Sequence, residues 1–339
     1  MHMADALISP AVGGTLWVVA GSLIAFCARK VNQAMQDHLV PLMGVMGAFV
    51  FAAQMINFSI PGTGSSGHLG GGLMLAILLG PYAAFLVIAS VLTVQAFFFA
   101  DGGLLALGCN IFNLGFFPAF LVYPLYRAIA QGQHATPRAW AAAIVSAVVG
   151  LQMGAFFVVL ETTASGISEL PFGTFVLMML PIHLAIGVVE GLATATVVSF
   201  VARARPEILP TAPETGAAIH VRPVLIGLVV AAAITGGVIS WFASAHPDGL
   251  EWSIAKVSGQ EEVPGGEEGI RKGLADLQNK TSILPDYGFK AGTEPGAAES
   301  WPAVQTGTSV SGIVGGTLTL GLVLLTGFAL KLRPVPRRE

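Results

Sequence analysis

The chain has 339 residues, 54% of them apolar and only 10% charged, with 19 acidic against 16 basic side chains and a net charge of −3. No water-soluble domain carries so few charges on so much apolar sequence, so the composition indicates an integral membrane protein. Neither a GxxxxGK[ST] phosphate loop, a GxSxG elbow, a kinase motif set nor a basic patch for nucleic acid is present, so nothing equips this chain to hydrolyse ATP by itself.

A hydrocarbon core of about 30 Å takes roughly 20 helical residues to cross. Apolar runs near 9–28, 40–58, 69–80, 82–100, 104–130, 139–162, 172–202, 223–245 and 307–331 predict an all-α protein with nine transmembrane segments. The third run is short and bracketed by Gly70, Gly71, Gly72, Gly80 and Pro81. That makes it a candidate for a broken or re-entrant element, tolerated at depth only where protein buries it. Cys27 and Cys109 fall inside apolar helices and read as small packing residues, not as a disulfide or metal pair.

Short cytoplasmic loops are enriched in Lys and Arg. Arg29, Lys30, Arg127, Arg138, Arg203, Arg205, Arg222, Lys331, Arg333, Arg337 and Arg338 all fall on one side if nine helices follow an outside N-terminus. Nothing basic precedes the first apolar run and Asp5 does, the charge order of an outside-start anchor and not of a cleaved leader, so Met1 is expected to be the mature terminus. Two composition changes divide the chain. Residues 206–222, with Pro206, Pro210 and Pro213, read as a cytoplasmic linker between a seven-helix unit (1–205) and a two-helix unit (223–339). The extracytoplasmic loop 246–306 of the second unit is rich in Gly, Glu and Pro, with one amphipathic patch at 269–284 suited to a short helix, and is expected to be partly ordered at most.

Candidate chemistry begins at Met1-His2-Met3. A free α-amine, the amide nitrogen of residue 2 and the Nδ1 of a His at residue 2 can close two chelate rings about one ion, leaving one in-plane position open. A planar, all-nitrogen field suits Ni(II) or Cu(II). The same dipeptide is also compatible with an ordinary exposed His. His68, in the glycine-rich loop after the second segment, is on the same predicted side and is a candidate fourth nitrogen, although a solvated turn His is the plain alternative. Gln54, Asn57, Ser65 and Ser66 are candidates for orienting the imidazoles.

In the seventh segment His183 and Glu190 lie about two turns apart on one face. Ionisable groups within a membrane helix are functional hypotheses by default, but the spacing is wrong for a zinc-protease helix. A structural polar pair or a contact to a neighbouring subunit is the reading preferred over ligation. Gln95, Asp101, Asn110, Asn113, Gln152 and Glu161 are further polar residues that could line a site or join helices.

The runs "MHMADALISP", "QMINF", "GSSGHLGGG", "DGGLLALGCNIFN" and "HLAIGVVEGLAT" together resemble the M component of cobalt and nickel energy-coupling-factor transporters, the CbiM/NikM family, through most of 1–203. The segment His246-Pro247-Asp248-Gly249-Leu250-Glu251-Trp252 resembles the "PDGLE" signature of the N component, CbiN/NikN, so the chain resembles a fusion of the two. The resemblance implies a substrate-capture subunit in a bacterial or archaeal inner membrane. It would hold Ni(II) or Co(II) on Met1, His2 and His68, and work with a transmembrane coupling subunit and a pair of ABC ATPases. The alternatives from other classes are a membrane metalloenzyme with His183 as ligand and Glu190 as base, and a stand-alone ion-coupled permease. The N-like part is expected to act on transport and not on capture, since its loop offers only His246 as a nitrogen ligand.

Overall fold

The computed structural model describes residues 2–36, 38–210, 221–260, 269–290 and 302–332. Met1, most of the linker, two stretches of the outer loop and the terminal Arg333, Arg337 and Arg338 lie outside the described residues. The protein is all-α and multi-pass, as its apolar runs predict. Among the described residues six helices are long and apolar enough to cross a membrane: α1 (Pro10–Gln33), α4 (Pro81–Phe99), α5 (Leu107–Ala130), α6 (Pro137–Ser165), α7 (Phe172–Ala204) and α11 (Thr306–Lys331). Two shorter apolar helices, α2 (Leu39–Gln54) and α8 (Arg222–Gly237), complete the set predicted at 40–58 and 223–245.

Local chemistry sets several boundaries. Ser9 and Thr136 cap α1 and α6 by accepting from the amides of Val12 and Ala139, with Pro10 and Pro137 at the first helical position, where their missing N–H costs nothing. The third predicted segment is the short element that its glycine brackets suggest. It forms α3 (Gly72–Leu79), 8 residues long and buried along its whole length. Its backbone reaches a sharp turn at Gly80, φ 80°, before Pro81 opens α4. A helix so short crosses only about 12 Å. It survives because α4, α5 and α7 surround it and satisfy what lipid could not.

Small residues bring the long helices together, as is common where lipid supplies no hydrophobic drive between helices. A Cβ on Gly187 would stand 2.8 Å from the Cα of Val148, and one on Gly191 2.4 Å from the Cα of Ile144, so the Gly187-x-x-x-Gly191 face of α7 lies directly on α6. The two-helix part packs in the same manner. α8 and α11 meet at Gly236 and Gly312, and both lie on α2, where a Cβ on Gly315 would overlap the ring of Phe51. In consequence α2 is buried on nearly every side although it is apolar enough to face lipid. Large apolar side chains on the outer faces, such as Val18 of α1, Leu177 and Phe200 of α7, Ile226 of α8 and Leu325 of α11, remain exposed, as a lipid-facing surface requires.

The outer loop adds two helices, α9 (Gly249–Ser258) and α10 (Ile270–Thr281), the second at the amphipathic patch. One two-stranded antiparallel hairpin, β1 (Phe58–Ile60) and β2 (Ser65–Gly67), follows α2 with Ser59 opposite Ser66.

Candidate functional site

The N-terminal residues are threaded into the protein. Met3 is fully buried; its amide donates to Asn110 Oδ1 at 2.8 Å, and its carbonyl accepts from Asn110 Nδ2 at 3.2 Å and from the Gly103 amide at 2.9 Å. Asp5 Oδ1 accepts from the Ala106 amide at 3.0 Å. This seating explains the Asp101-Gly102-Gly103 run. Gly102 sits at φ 80°, where side chains are strained, and a Cβ on Gly103 would lie 1.9 Å from Asp5 Oδ1.

His2 follows from that anchor. Its Nδ1 lies 3.0 Å from Asp101 Oδ1, and its side chain is 7% exposed. Burial opposes the charge of Asp101, but the His2 imidazole beside it, with hydrogen bonds from His2 and Tyr287, outweighs that and holds its carboxyl below the usual range. The ring of His2 stacks on the ring of His68, with centroids 4.9 Å apart and planes 4° from parallel.

His68 is held by the chain on both sides. β2 leads into it at Gly67, whose missing side chain lets Ile186 of α7 approach; a Cβ there would stand 2.4 Å from Ile186 Cγ1. Beyond it, Glu190 of α7 accepts from the amides of Gly70 at 2.9 Å and Gly71 at 3.1 Å. Gln54 Nε2 donates to the Gly70 carbonyl, and Gln54 Oε1 accepts from Gln95 Nε2. Burial pushes the His68 imidazole below its ordinary value, against the opposing pull of Asp248.

The expected orienting residues therefore act on backbone and not on the rings. Gln54 fixes the loop beyond His68; the Asn57 carbonyl accepts from the Ser244 amide; Ser65 Oγ donates to its neighbour's carbonyl. Ser66 binds the N-like segment: its amide donates to the Pro247 carbonyl at 2.8 Å and its hydroxyl to the His246 carbonyl at 2.8 Å.

The same segment also reaches His68, a contact that no local pattern in the sequence announces. Asp248 caps α9, its Oδ1 accepting from the Leu250 and Glu251 amides while Glu251 returns a bond to the Asp248 amide. Its Oδ2 lies 3.8 Å from His68 Nε2, within ion-pair reach but too long for a hydrogen bond. Burial opposes the Asp248 charge, but the positive charge of the chain's amino terminus, then His68 and the Glu251 amide, prevail and hold its carboxyl well below the usual range. Gly249 presses on α7, where a Cβ would meet Ile182 Cγ2 at 2.7 Å and His183 Cε1 at 3.1 Å. Trp252 Nε1 donates to the Thr63 carbonyl of the hairpin. Further along, Gln278 Nε2 donates to the Gly102 carbonyl at 2.7 Å, Arg271 to the Ile8 carbonyl, and the Tyr287 hydroxyl to Asp101 Oδ2. His246, the loop's one histidine, is exposed. The Asp-Gly-Leu-Glu spacing announces a helix start, but nothing local announces which surface that helix covers.

His183 and Glu190 share a face of α7 and are 1% and 4% exposed, so they meet this chain's own residues and not a neighbouring subunit. They also do not pair with each other. Glu190 is engaged by Gly70 and Gly71, and His183 Nδ1 donates to the Met179 carbonyl at 2.8 Å, one turn earlier. Of the remaining polar residues, Gln95, Asp101 and Asn110 support the site as above. Asn113 donates to Glu161 deeper in the bundle, and Gln152 joins α6 to the Leu180 carbonyl of α7. Cys27 and Cys109 are free and buried.

Among the described residues, no three side chains of His, Cys, Asp or Glu converge as a metal cluster. A site built from main-chain nitrogens and two imidazoles needs no such cluster. What the geometry offers is two stacked neutral-capable imidazoles, each with a carboxylate at its edge, at the mouth of a buried polar loop.

Known proteins match this chain along both of its parts. The family model described as the cobalt uptake substrate-specific transmembrane region, CbiM, matches residues 2–208, and the PDGLE domain matches 222–332. A chain of Archaeoglobus fulgidus provisionally named as a fused nickel transport protein NikMN is 35% identical over 97% of this chain and 98% of its own length. The fused nickel transport protein NikMN of Rhodobacter capsulatus is 29% identical over 85% of this chain and 88% of its own. A crystal structure of a truncated transition metal transporter superposes with a TM-score of 0.54 at 28% identity, covering 60% of this chain and 99% of that one.

Proposed function

The chain belongs to the CbiM family of cobalt uptake transmembrane regions and carries a PDGLE domain behind it, and from that premise we propose that it captures Ni(II) or Co(II) at the outer membrane face for an ATP-driven importer of the energy-coupling-factor type. The ion is cargo, bound by the Met1 amine, the amide and Nδ1 of His2, and a nitrogen of His68. Met1 lies outside the described residues, so its part in the site rests on chelate chemistry and on the family resemblance.

The observation that carries this reading is the apposition of His2 and His68. With metal–nitrogen distances of about 2 Å, two imidazoles at right angles about one ion have ring centres roughly 4.5 Å apart. The spacing here is 4.9 Å, and because the planes lie 4° from parallel one ring must turn before both lone pairs meet at one ion. In a chelate that uses residue 2 twice, the open in-plane position lies beside the His2 imidazole, and a turn of the neighbouring His68 ring would bring its nitrogen there. Binding would draw His2 Nδ1 from Asp101 to the ion, leaving the carboxylate as a nearby counter-charge.

In this reading the N-terminus is outside and the C-terminus cytoplasmic, in an inner membrane, which follows from the side of the basic residues. ATP hydrolysis belongs to two partner ABC ATPases joined through a transmembrane coupling subunit, since this chain has no phosphate loop. Calorimetry with nickel tests the capture site. Acetylating the Met1 amine turns it into an amide without altering a side chain, and should abolish tight binding, while a tag after Glu339 should leave it intact. An acetylated protein that binds as tightly as the natural one would show that the Met1 amine is not a ligand.

A further inference from the structure

We propose that α10 lies in the headgroup layer of the membrane as an interfacial helix, with its Ile270 and Leu277 face against phospholipid, at the end of the bundle that holds His2. This placement needs only a chain that spans a membrane, whichever ion it binds.

The bonds of α10 fix its depth. Gln278 Nε2 donates to the carbonyls of Ala96 at 2.9 Å and Gly102 at 2.7 Å, and Arg271 donates to the Ile8 carbonyl at 2.9 Å. Just past the helix, the amides of Ile283 and Leu284 both donate to the Phe98 carbonyl. Phe98 is in the last turn of α4, which ends at Phe99, and Ile8 stands just ahead of α1, which begins at Pro10. Two apolar spans stop at these residues, so α10 is tied at the level where hydrocarbon gives way to headgroups.

Its sequence fixes its direction. Ile270, Leu274 and Leu277 share one face. Arg271 and Gln278, each one position further on, point about a quarter of a turn away, toward the protein. Lys272, Asp276, Asn279 and Lys280 fill the remaining side. A helix gripped by its flank is thereby left with one free face that is apolar and one that is charged, and a membrane surface satisfies both at once.

The apolar face has no cover of its own. No residue of α10 is buried, and Ile270, Leu277, Ile283 and Phe289 are each between 43% and 57% exposed. Cations accompany them. Lys272, Lys280 and Lys290 are exposed, and four of the five basic residues of the loop 246–306 fall within 271–290. Long ammonium stems of this kind reach phosphate while the residues beside them sink about 5–10 Å into the acyl boundary. Lipid contact here would also steady the N-terminal socket, because Gln278 holds Gly102 and Tyr287, beyond the helix, holds Asp101.

Site-directed spin labelling tests the placement on the full chain in vesicles of phosphatidylcholine and phosphatidylglycerol. Ile270→Cys, Leu277→Cys and Lys272→Cys each receive one label; Cys27 and Cys109 are buried, and the unsubstituted protein gives their background. Collisions are read with oxygen, which concentrates in hydrocarbon, and with chromium oxalate, which stays in water. Labels on Ile270→Cys and Leu277→Cys should meet oxygen several-fold more than chromium oxalate, with the order reversed on Lys272→Cys. Three labels that meet chromium oxalate alike would put the helix in water and overturn the proposal. Labels on Ile270→Cys and Leu277→Cys that neither reagent reaches would show the face covered by protein, a second copy of the chain included, and would overturn it as well. Should a labelled variant not fold, a phospholipid bearing a carbene precursor near its headgroup reads the unsubstituted chain: adducts within 270–289 support the proposal, and adducts on α1 and α4 with none in 270–289 overturn it.

Discussion

At the residue scale the site is built from few side chains, so single changes should separate cleanly. His2→Ala and His68→Ala each remove a ligand and are expected to weaken nickel binding far more than Gln54→Ala, which only loosens the loop that Gln54 holds at Gly70. Outer partners of this kind cost about 10–100-fold when lost, and titration calorimetry measures the difference. Acid should release the ion, because protons compete for every nitrogen. The reference α-amine, at about 7.7–8.0, yields first, while burial keeps His68 neutral to below the usual imidazole value of about 6.5, so its share of the loss comes later. Affinity measured against pH should therefore fall from about pH 8 downward and steepen below about 6.5, and a flat profile to about pH 5 would remove the nitrogen site.

What could be read in advance at this scale was side-chain identity. His2 and His68 are legible because chelate rings and a glycine-rich loop are local patterns. Asp101 and Asn110 were visible only as polar residues without assigned work, because their partners, His2 and Met3, lie about a hundred positions away. Asp248 was passed over entirely, since a helix cap accounts for an Asp at that place and its second oxygen needs no sequence signal.

At the element scale the glycines decide what touches what. Gly191→Val would drive a side chain into the backbone of α6 beside Ile144. Overpacking of this kind costs about 1–3 kcal/mol. The variant should show a lowered thermal midpoint in detergent, together with weakened nickel binding, because α7 also presents Glu190 to the loop of His68. Gly249→Val should act differently. It lifts α9 from Ile182 and His183 on the flank of α7 without entering the packing between the spans, so hydrogen exchange should rise across α9 and β2 while the long helices stay protected. If exchange rose equally in α6 and α7, the roof would be part of the bundle's stability and not a separate cover. α3 shows the limit of run-length reasoning: its glycine brackets announced a break, but only its neighbours explain why so short a helix is stable.

At the scale of the whole molecule, the division of the chain into a seven-helix unit and a two-helix unit describes its sequence better than its packing. α8 and α11 bury α2, and the outer loop bridges to the hairpin, to Asp101 and to the segment ahead of α1. Deleting 223–339 is therefore expected to weaken equilibrium nickel binding and quicken release, contrary to what the loop's lack of nitrogen ligands suggests. Supplying 223–339 as a separate chain should restore binding only at high concentration, because the fusion provides an effective concentration that diffusion must replace. Unchanged affinity in a folded truncation would return the second unit to a role in transport alone.

The seating of the N-terminus also sets an order of assembly. His2 and Met3 leave the ribosome before any of their partners, yet their socket is made by Asp101, Gly103 and Asn110, and its far wall by Tyr287. These early residues must wait through the insertion of the whole bundle and be the last to lock. A nascent chain stalled before residue 101 should leave His2 and Met3 open to proteases, one stalled between α5 and α9 should protect them in part, and full protection should come only once Tyr287 has docked.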